Sequence, residues 1–480
     1  MSDKTIDKLK ANFDGMIVKK SSLQNVFASL SLPAFIRDWF LKKYADKDGC
    51  VNVNFVLEKI KDVMPRKNEW NAILDKLLSG ERVRFLTKLS VSIDIKTKKY
   101  TFSLPDFGIT DKETYISQSV WEKHKKALLV TDGEFWGIVD LEYLNIDNGK
   151  KTEGKIALVD FKDFRPYKID LDFYKAARKN FELDEWIDVL LGAIDYNANG
   201  FKIELNKLTM LSRLLPFVEK RLNLIELAPK GTGKSYIFSQ ISKKGWLVSG
   251  GVMTRSKMFY DMSKKQEGLV SYYDYVALDE ISTIKFPDIN EMRGALKGYL
   301  ESGSYNVGNK AGMGDAGLMI LGNIRSENMD VNLNMFEELP SLFEDTALID
   351  RLHGFIKGWD VPRMNENMKI NDWGLNTEYF SEIMHALRED VIQKSLVDQL
   401  VEVPLEADTR DTNAVKKIAT AYMKLLFPHY STVDEVDKEL FKKYCLEPAV
   451  EMRKIIKIQL GIMDIEYKKK PMQEYKIKEG

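Results

Sequence analysis

"LIELAPKGTGKSYIF", residues 224–238, runs from an apolar, strand-like stretch through a glycine-bearing loop into a helix-like segment. The loop is Ala228 followed by Pro229, Lys230, Gly231, Thr232, Gly233, Lys234 and Ser235. Glycines there let backbone N–H groups turn inward around a triphosphate, and a helix starting near Lys234 offers its positive end. Lys234 is placed to reach the β- and γ-phosphates, and Ser235 to ligate Mg²⁺. The strict phosphate-loop pattern begins with Gly. Ala228 stands in that place here and keeps the side chain small. At ordinary residue usage the relaxed pattern arises by chance in roughly one chain of this length in twenty-five. The flanking strand and helix make coincidence rarer still, so ATP with Mg²⁺ is the expected ligand of residues 229–235.

Four further stretches extend this reading. "YYDYVALDE" (272–280) is an apolar strand ending in Asp279 and Glu280. A carboxylate at that place holds Mg²⁺ beside the loop's Ser, and its neighbour polarises the attacking water. The plainer alternative is two acids capping the next helix. "AGLMILGNI" (316–324) is another apolar strand, with Asn323 at its end, where an amide can bond both the γ-phosphate and the lytic water; an Asn there is otherwise an ordinary turn residue. "FEDTALIDRLHGFIKGW" (343–359) and "ADTRDTNAVKKIATAYMKLL" (407–426) supply Arg351 and Arg410, which either act on a neighbour's γ-phosphate or form surface ion pairs. Arg363 lies close enough to compete for such a role.

The remaining chain frames these motifs. With 480 residues, 44% hydrophobic and 30% charged, the chain has a globular composition and length for several domains. Lys plus Arg equals Asp plus Glu at 72 each, so no global basic field advertises nucleic acid. Two cysteines argue against a disulfide framework, the N-terminus has no apolar signal core, and no window is apolar enough to span a membrane. A cytoplasmic protein is expected. Helical periodicity marks residues 1–80, and β-rich segments punctuated by turn signals at 132–133 and 148–149 mark 81–168, a small antiparallel module that an oligonucleotide-binding barrel would fit. Apolar runs at 224–228, 246–248, 275–278 and 318–321 alternate with helices, which predicts an α/β core over 169–365 with a parallel sheet. Residues 366–460 read as a helical lid and 461–480 as a frayed basic tail.

In this order the motifs resemble an AAA+ P-loop ATPase. Segments such as "NLIELAPKGTGKSYIFSQIS", "GLVSYYDYVALDEISTIKF", "DAGLMILGNI" and "DRLHGFIKGW", with "YTFSLPDFGI" and "EWIDVLLGAIDYN" further upstream, are similar to the Lon-protease-like proteins of BREX bacteriophage-defence systems. The likeness covers about residues 80–460. It implies an ATPase core similar to that of MCM helicases. It also implies a homo-oligomeric ring, taken as a hexamer, that pairs into a stacked double ring and encircles duplex DNA, with other defence proteins as partners. On the matching positions it implies roles for Lys234, Ser235, Asp279, Glu280, Asn323, Arg351 and Arg410. The stretch "SGSYNVGNKAGMGDAG" (302–317) has hairpin chemistry, and Lys310 falls where such helicases carry a channel lysine; the alternative is a solvated turn lysine. Long relatives end in a Lon-like protease domain. The 35 residues after Cys445 are too few for one, so no peptidase activity is expected.

Two rival readings accompany a DNA motor or clamp: a nucleotide-gated scaffold with little turnover, and a protein-remodelling motor. The latter would show an aromatic channel loop, and Tyr305 is the only aromatic in 302–317. Four scattered histidines and two distant cysteines have no metal-ligand or nucleophile spacing.

Overall fold

In a computed structural model of the chain, the described residues are 1–20, 32–94, 97–128, 134–147, 152–263 and 265–478. Both expected turn signals, at 132–133 and 148–149, and residues 21–31 of the first helical stretch lie outside them. The chain forms two compact units, Phe40–Lys168 and Met1–Trp39 with Ile169–Gly480. The five segments read from the sequence therefore group differently: residues 1–39 join the core, and residues 366–480 belong to the same unit.

The smaller unit is a closed five-stranded barrel of β1 (Val83–Asp94), β2 (Lys99–Ser103), β3 (Thr114–Ile116), β4 (Phe135–Asp147) and β5 (Thr152–Asp163), in the order β1-β2-β3-β5-β4. All pairs are antiparallel except β3 with β5. The helix Gln118–Leu128 lies between the third and fourth strands in sequence. Strand alternation puts Phe85, Leu89, Val139 and Leu141 in the core and leaves Arg84 exposed.

The larger unit is built on five parallel strands: β6 (Leu224–Ala228), β7 (Gly245–Val252), β8 (Tyr275–Lys285), β11 (Gly317–Asn323) and β12 (Gly354–Lys357). Their spatial order is β12-β6-β11-β8-β7. The central strands are buried on both faces, which is why they read as unbroken apolar runs. The fifth, "GFIK", is too short and glycine-led to announce itself. Between β8 and β11 come the helix α1 (Ile289–Ser302) and a hairpin of β9 (Ser304–Val307) with β10 (Lys310–Met313). Asp288 caps α1 at its start, and Gly303 at φ +78° ends it.

The N-terminal segment is locked to this core by buried charge. Arg37 donates to Asp195 at 2.8 Å and to Asp38, while Lys20 lies 2.9 Å from Asp195 and 3.3 Å from Asp38. Burial by itself would raise the Asp195 carboxyl, but Arg37 and Lys20 outweigh it and hold that group well below the ordinary carboxylate range. Tyr236, just after the glycine-bearing stretch 229–235, also donates to Asp195.

The C-terminal stretch corrects one expectation. Instead of fraying, Lys476–Ile477 pairs with Val401–Glu402, and Tyr475 is buried with its hydroxyl 3.0 Å from that of Thr412. Two apolar anchors, Tyr475 and Ile477, outweigh the basic character of the tail. The last long helix, Glu447–Met463, likewise runs past 460.

Arg37→Met leaves Lys20 as the one cation paired with Asp38 and Asp195 among the described residues. It is expected to destabilise the larger unit by about 3–5 kcal/mol, read from urea unfolding of the variant against the parent.

Candidate nucleotide site

Strand β6 is buried along its whole length and delivers the chain into the loop at residue 229. Gly231 at φ +82° and Gly233 at φ +79° occupy the left-handed region that favours glycine. A Cβ on Gly233 would stand 2.4 Å from the Tyr196 hydroxyl, so the backbone there passes too close for any side chain. Met364 closes over the loop, its N–H donating to Gly231 O at 2.8 Å. Arg363, exposed, is the residue immediately before it.

Lys234 opens the short helix Lys234–Gln240, and its Nζ reaches Asn323 Oδ1 at 3.2 Å and the carbonyls of Ala228 and Pro229 at 3.4 Å. All three acceptors are neutral. Among the described residues no carboxylate forms an ion pair with this ammonium, although it is only 8% exposed. Burial pushes it below the ordinary lysine value; Glu226 opposes that shift and Arg213 adds to it. A cation so placed is under-neutralised, which suits an anionic ligand.

Parallel pairing brings the other groups to the same edge. Asn323 is the last residue of β11 and pairs with Ala228. Asp279 lies on β8, and Ser235 Oγ donates to its Oδ2 at 2.5 Å. A hydroxyl and a buried carboxylate in contact are the oxygen donors that Mg²⁺ takes, so the residues present fit the ion. After Asp279 the register of β8 against β7 shifts, and Glu280 adopts φ +50°. That bulge turns two consecutive acids apart: Asp279 stays buried against Ser235, and Glu280 is exposed.

Arg351 and Arg410 come together elsewhere. Arg351 Nε lies 2.8 Å from Glu301 Oε2, and Arg410 reaches the same oxygen at 3.2 Å and Asp350 Oδ2 at 2.8 Å. Arg453, buried beneath, donates to Asp350 Oδ1 and Asp411 Oδ1, each at 2.7 Å. His353 N–H bonds Asn223 O, before β6 begins, whereas the phosphate loop follows its end. Five residues of strand, about 17 Å, therefore separate the two ends.

Lys310 flanks the Gly308–Asn309 turn of the β9–β10 hairpin. It is not a free cation: its Nζ is 3.4 Å from Glu267 Oε1 and 5.0 Å from the Tyr260 ring centre. Tyr305 is buried with its hydroxyl on the same Glu267 carboxylate.

Motif reasoning misses Arg213, Glu226, Asp195 and Glu301. Glu226 carried a signal, an acid inside an otherwise apolar strand. The others join through space and leave no local pattern.

Two family models match the chain in succession. One describes the N-terminal part of BREX system Lon protease-like protein BrxL and matches residues 11–143; the other describes the Lon-like protease BrxL-like ATPase domain and matches residues 156–473. A "Lon-like protease BrxL" of Escherichia coli O9:H4 (strain HS) is 30% identical over 460 residues, covering 94% of this chain and 64% of the relative. One of the same name from Bacillus cereus (strain H3081.97) is 29% identical over 447 residues, covering 92% and 64%. The chain thus spans just under two-thirds of the length of these curated relatives. No described helix is long and apolar enough to cross a membrane. Carrying both models in order, the chain belongs to the BrxL family of Lon-protease-like BREX proteins and holds that family's ATPase domain on an AAA+-like α/β fold.

Proposed function

We propose that this protein is an ATP-hydrolysing motor or clamp that assembles into a homo-oligomeric ring, a hexamer able to stack as a double ring, around duplex DNA in bacteriophage defence. The single observation that carries the reading is the placing of Arg351 and Arg410 together at the far end of β6 from their own phosphate loop. Neither reaches its own phosphate loop, so for either of them to act on a γ-phosphate a second copy is needed.

In this mechanism Lys234 and the loop N–H groups bind the triphosphate, and Ser235 and Asp279 hold Mg²⁺. The ion supplies charge neutralisation on the phosphate oxygens. Glu280 takes a proton from the attacking water, Asn323 orients that water, and Arg351 with Arg410 of the neighbouring copy meets the charge developing on the γ-phosphate. The hairpin bearing Lys310 and the barrel are the proposed DNA-facing parts. The barrel's β1-β2-β3-β5-β4 order, with a helix between its third and fourth strands, is the topology of oligonucleotide-binding barrels. A protein-remodelling motor is disfavoured because Tyr305 is turned inward onto Glu267. A scaffold with little turnover remains the rival that rates decide.

Glu280→Gln is expected to keep ATP binding while phosphate release falls by about 10²–10⁴-fold; hydrolysis at the parent rate would remove Glu280 from the mechanism. Arg351→Ala and Lys234→Ala are each expected to lose turnover, and mixing the two inactive proteins should restore part of it, because mixed seams pair an intact loop with an intact arginine. If mixing recovers nothing while both variants still assemble, the shared site is wrong. Duplex DNA affinity, measured by fluorescence anisotropy, should fall steeply between 50 and 200 mM salt, about 10³–10⁵-fold for 6–10 phosphate contacts, with a shallower salt slope in Lys310→Ala.

A further inference from the structure

Glu226 occupies the middle of β6, with apolar Leu224, Ile225, Leu227 and Ala228 around it, and is 0% exposed. An ionised carboxylate there is tolerated only when paired and hydrogen-bonded. Arg213, also 0% exposed, meets it with a guanidinium fork: Nη2 is 2.6 Å from Oε1, and Nε is 3.0 Å from Oε2 and 3.2 Å from Oε1. The carboxylate has little room to swing, since a Cβ on Gly358 would stand 2.5 Å from Oε1.

The same guanidinium reaches the phosphate loop. Arg213 Nη1 donates to the carbonyl of Thr232 at 2.7 Å, and Nη2 lies 3.3 Å from Thr232 Oγ1. Thr232 is 1% exposed and sits between the two left-handed glycines. In a trans peptide the carbonyl and the following N–H point in opposite directions. Holding the Thr232 carbonyl toward Arg213 therefore turns the Gly233 N–H away from it, toward the side where a phosphate is cradled. Glu226 fixes Arg213 and Arg213 fixes the peptide, through a planar fork that a lysine cannot reproduce.

We infer that Arg213 and Glu226 are positioning residues for phosphate binding, acting through the peptide between Thr232 and Gly233. The inference rests on the reading of residues 229–235 as a nucleotide site. It gives the buried pair a role beyond stability, and the two roles separate by experiment. Removing one partner leaves a buried charge unpaired, whereas replacing both with apolar side chains of similar size can leave the fold intact.

The test is Arg213→Met/Glu226→Leu in the full chain, with thermal melting and titration of a fluorescent ATP analogue. The expected result is a melting temperature near the parent's and an affinity weakened about 10- to 100-fold, the loss of charge-assisted bonds that orient the loop. Faster amide exchange in the peptide covering 229–235 should accompany it. A well-folded double variant with parent affinity overturns the inference. Arg213→Lys serves as the second variant, keeping the pairing with Glu226 while giving up the fork: intermediate weakening supports the inference, and parent affinity overturns it even if the double variant does not fold. A parent chain that binds no adenine nucleotide would instead overturn the reading of the loop itself.

Discussion

Parallel pairing of five strands is the constraint from which the site follows. When all strands of a sheet run the same way, their carboxyl ends share one edge, and whatever residue terminates each strand meets the others there. Strand β6 delivers the loop with Lys234 and Ser235, β8 carries Asp279, and β11 ends in Asn323. The register of β11 on β6 sets Asn323 opposite Ala228, and this puts an amide oxygen within 3.2 Å of Lys234 Nζ. The opposite edge collects different chemistry by the same rule. Residues just before β12 lie at the start of β6, so Arg351 gathers with Arg410 around Glu301 and Asp350, remote from the loop.

Buried charge does much of the remaining organising. Three networks, Lys20–Arg37–Asp38–Asp195, Arg213–Glu226 and Arg453–Asp350–Asp411, each join different secondary-structure elements. Apolar packing alone tolerates small slips of one element on another. A buried ion pair does not, because a slip leaves charge unpaired in a medium that cannot solvate it. All three reach the candidate site residues: the first touches Tyr236 on the helix that follows residues 229–235, the second touches Thr232 within that stretch, and the third touches Asp350 beside Arg351.

The β9–β10 hairpin illustrates how surroundings change the meaning of a residue. Lys310, taken alone, is a cation beside a tight turn. In the fold it shares Glu267 with the Tyr305 hydroxyl and lies over the Tyr260 ring, so a phosphate contact requires exchanging one anion for another. The carboxylate that holds the hairpin in place also screens its charge.

Residues 224–238 determined by themselves the strand, the loop and the helix start, because Gly231, Gly233, Lys234 and Ser235 act through backbone geometry and chemistry contained within a few positions. The apolar runs at 224–228, 246–248, 275–278 and 318–321 were equally legible, since a strand buried on both faces has no polar alternation to disguise it. Tertiary structure alone decided that residues 1–39 complete the core, that "GFIK" supplies the fifth strand, that the tail docks through Tyr475, and that Arg213 answers Glu226. Each of those depends on partners separated by anything from 13 residues to more than 150, and pairing across such gaps is chosen by complementary burial and charge in the folded chain, which no local pattern encodes.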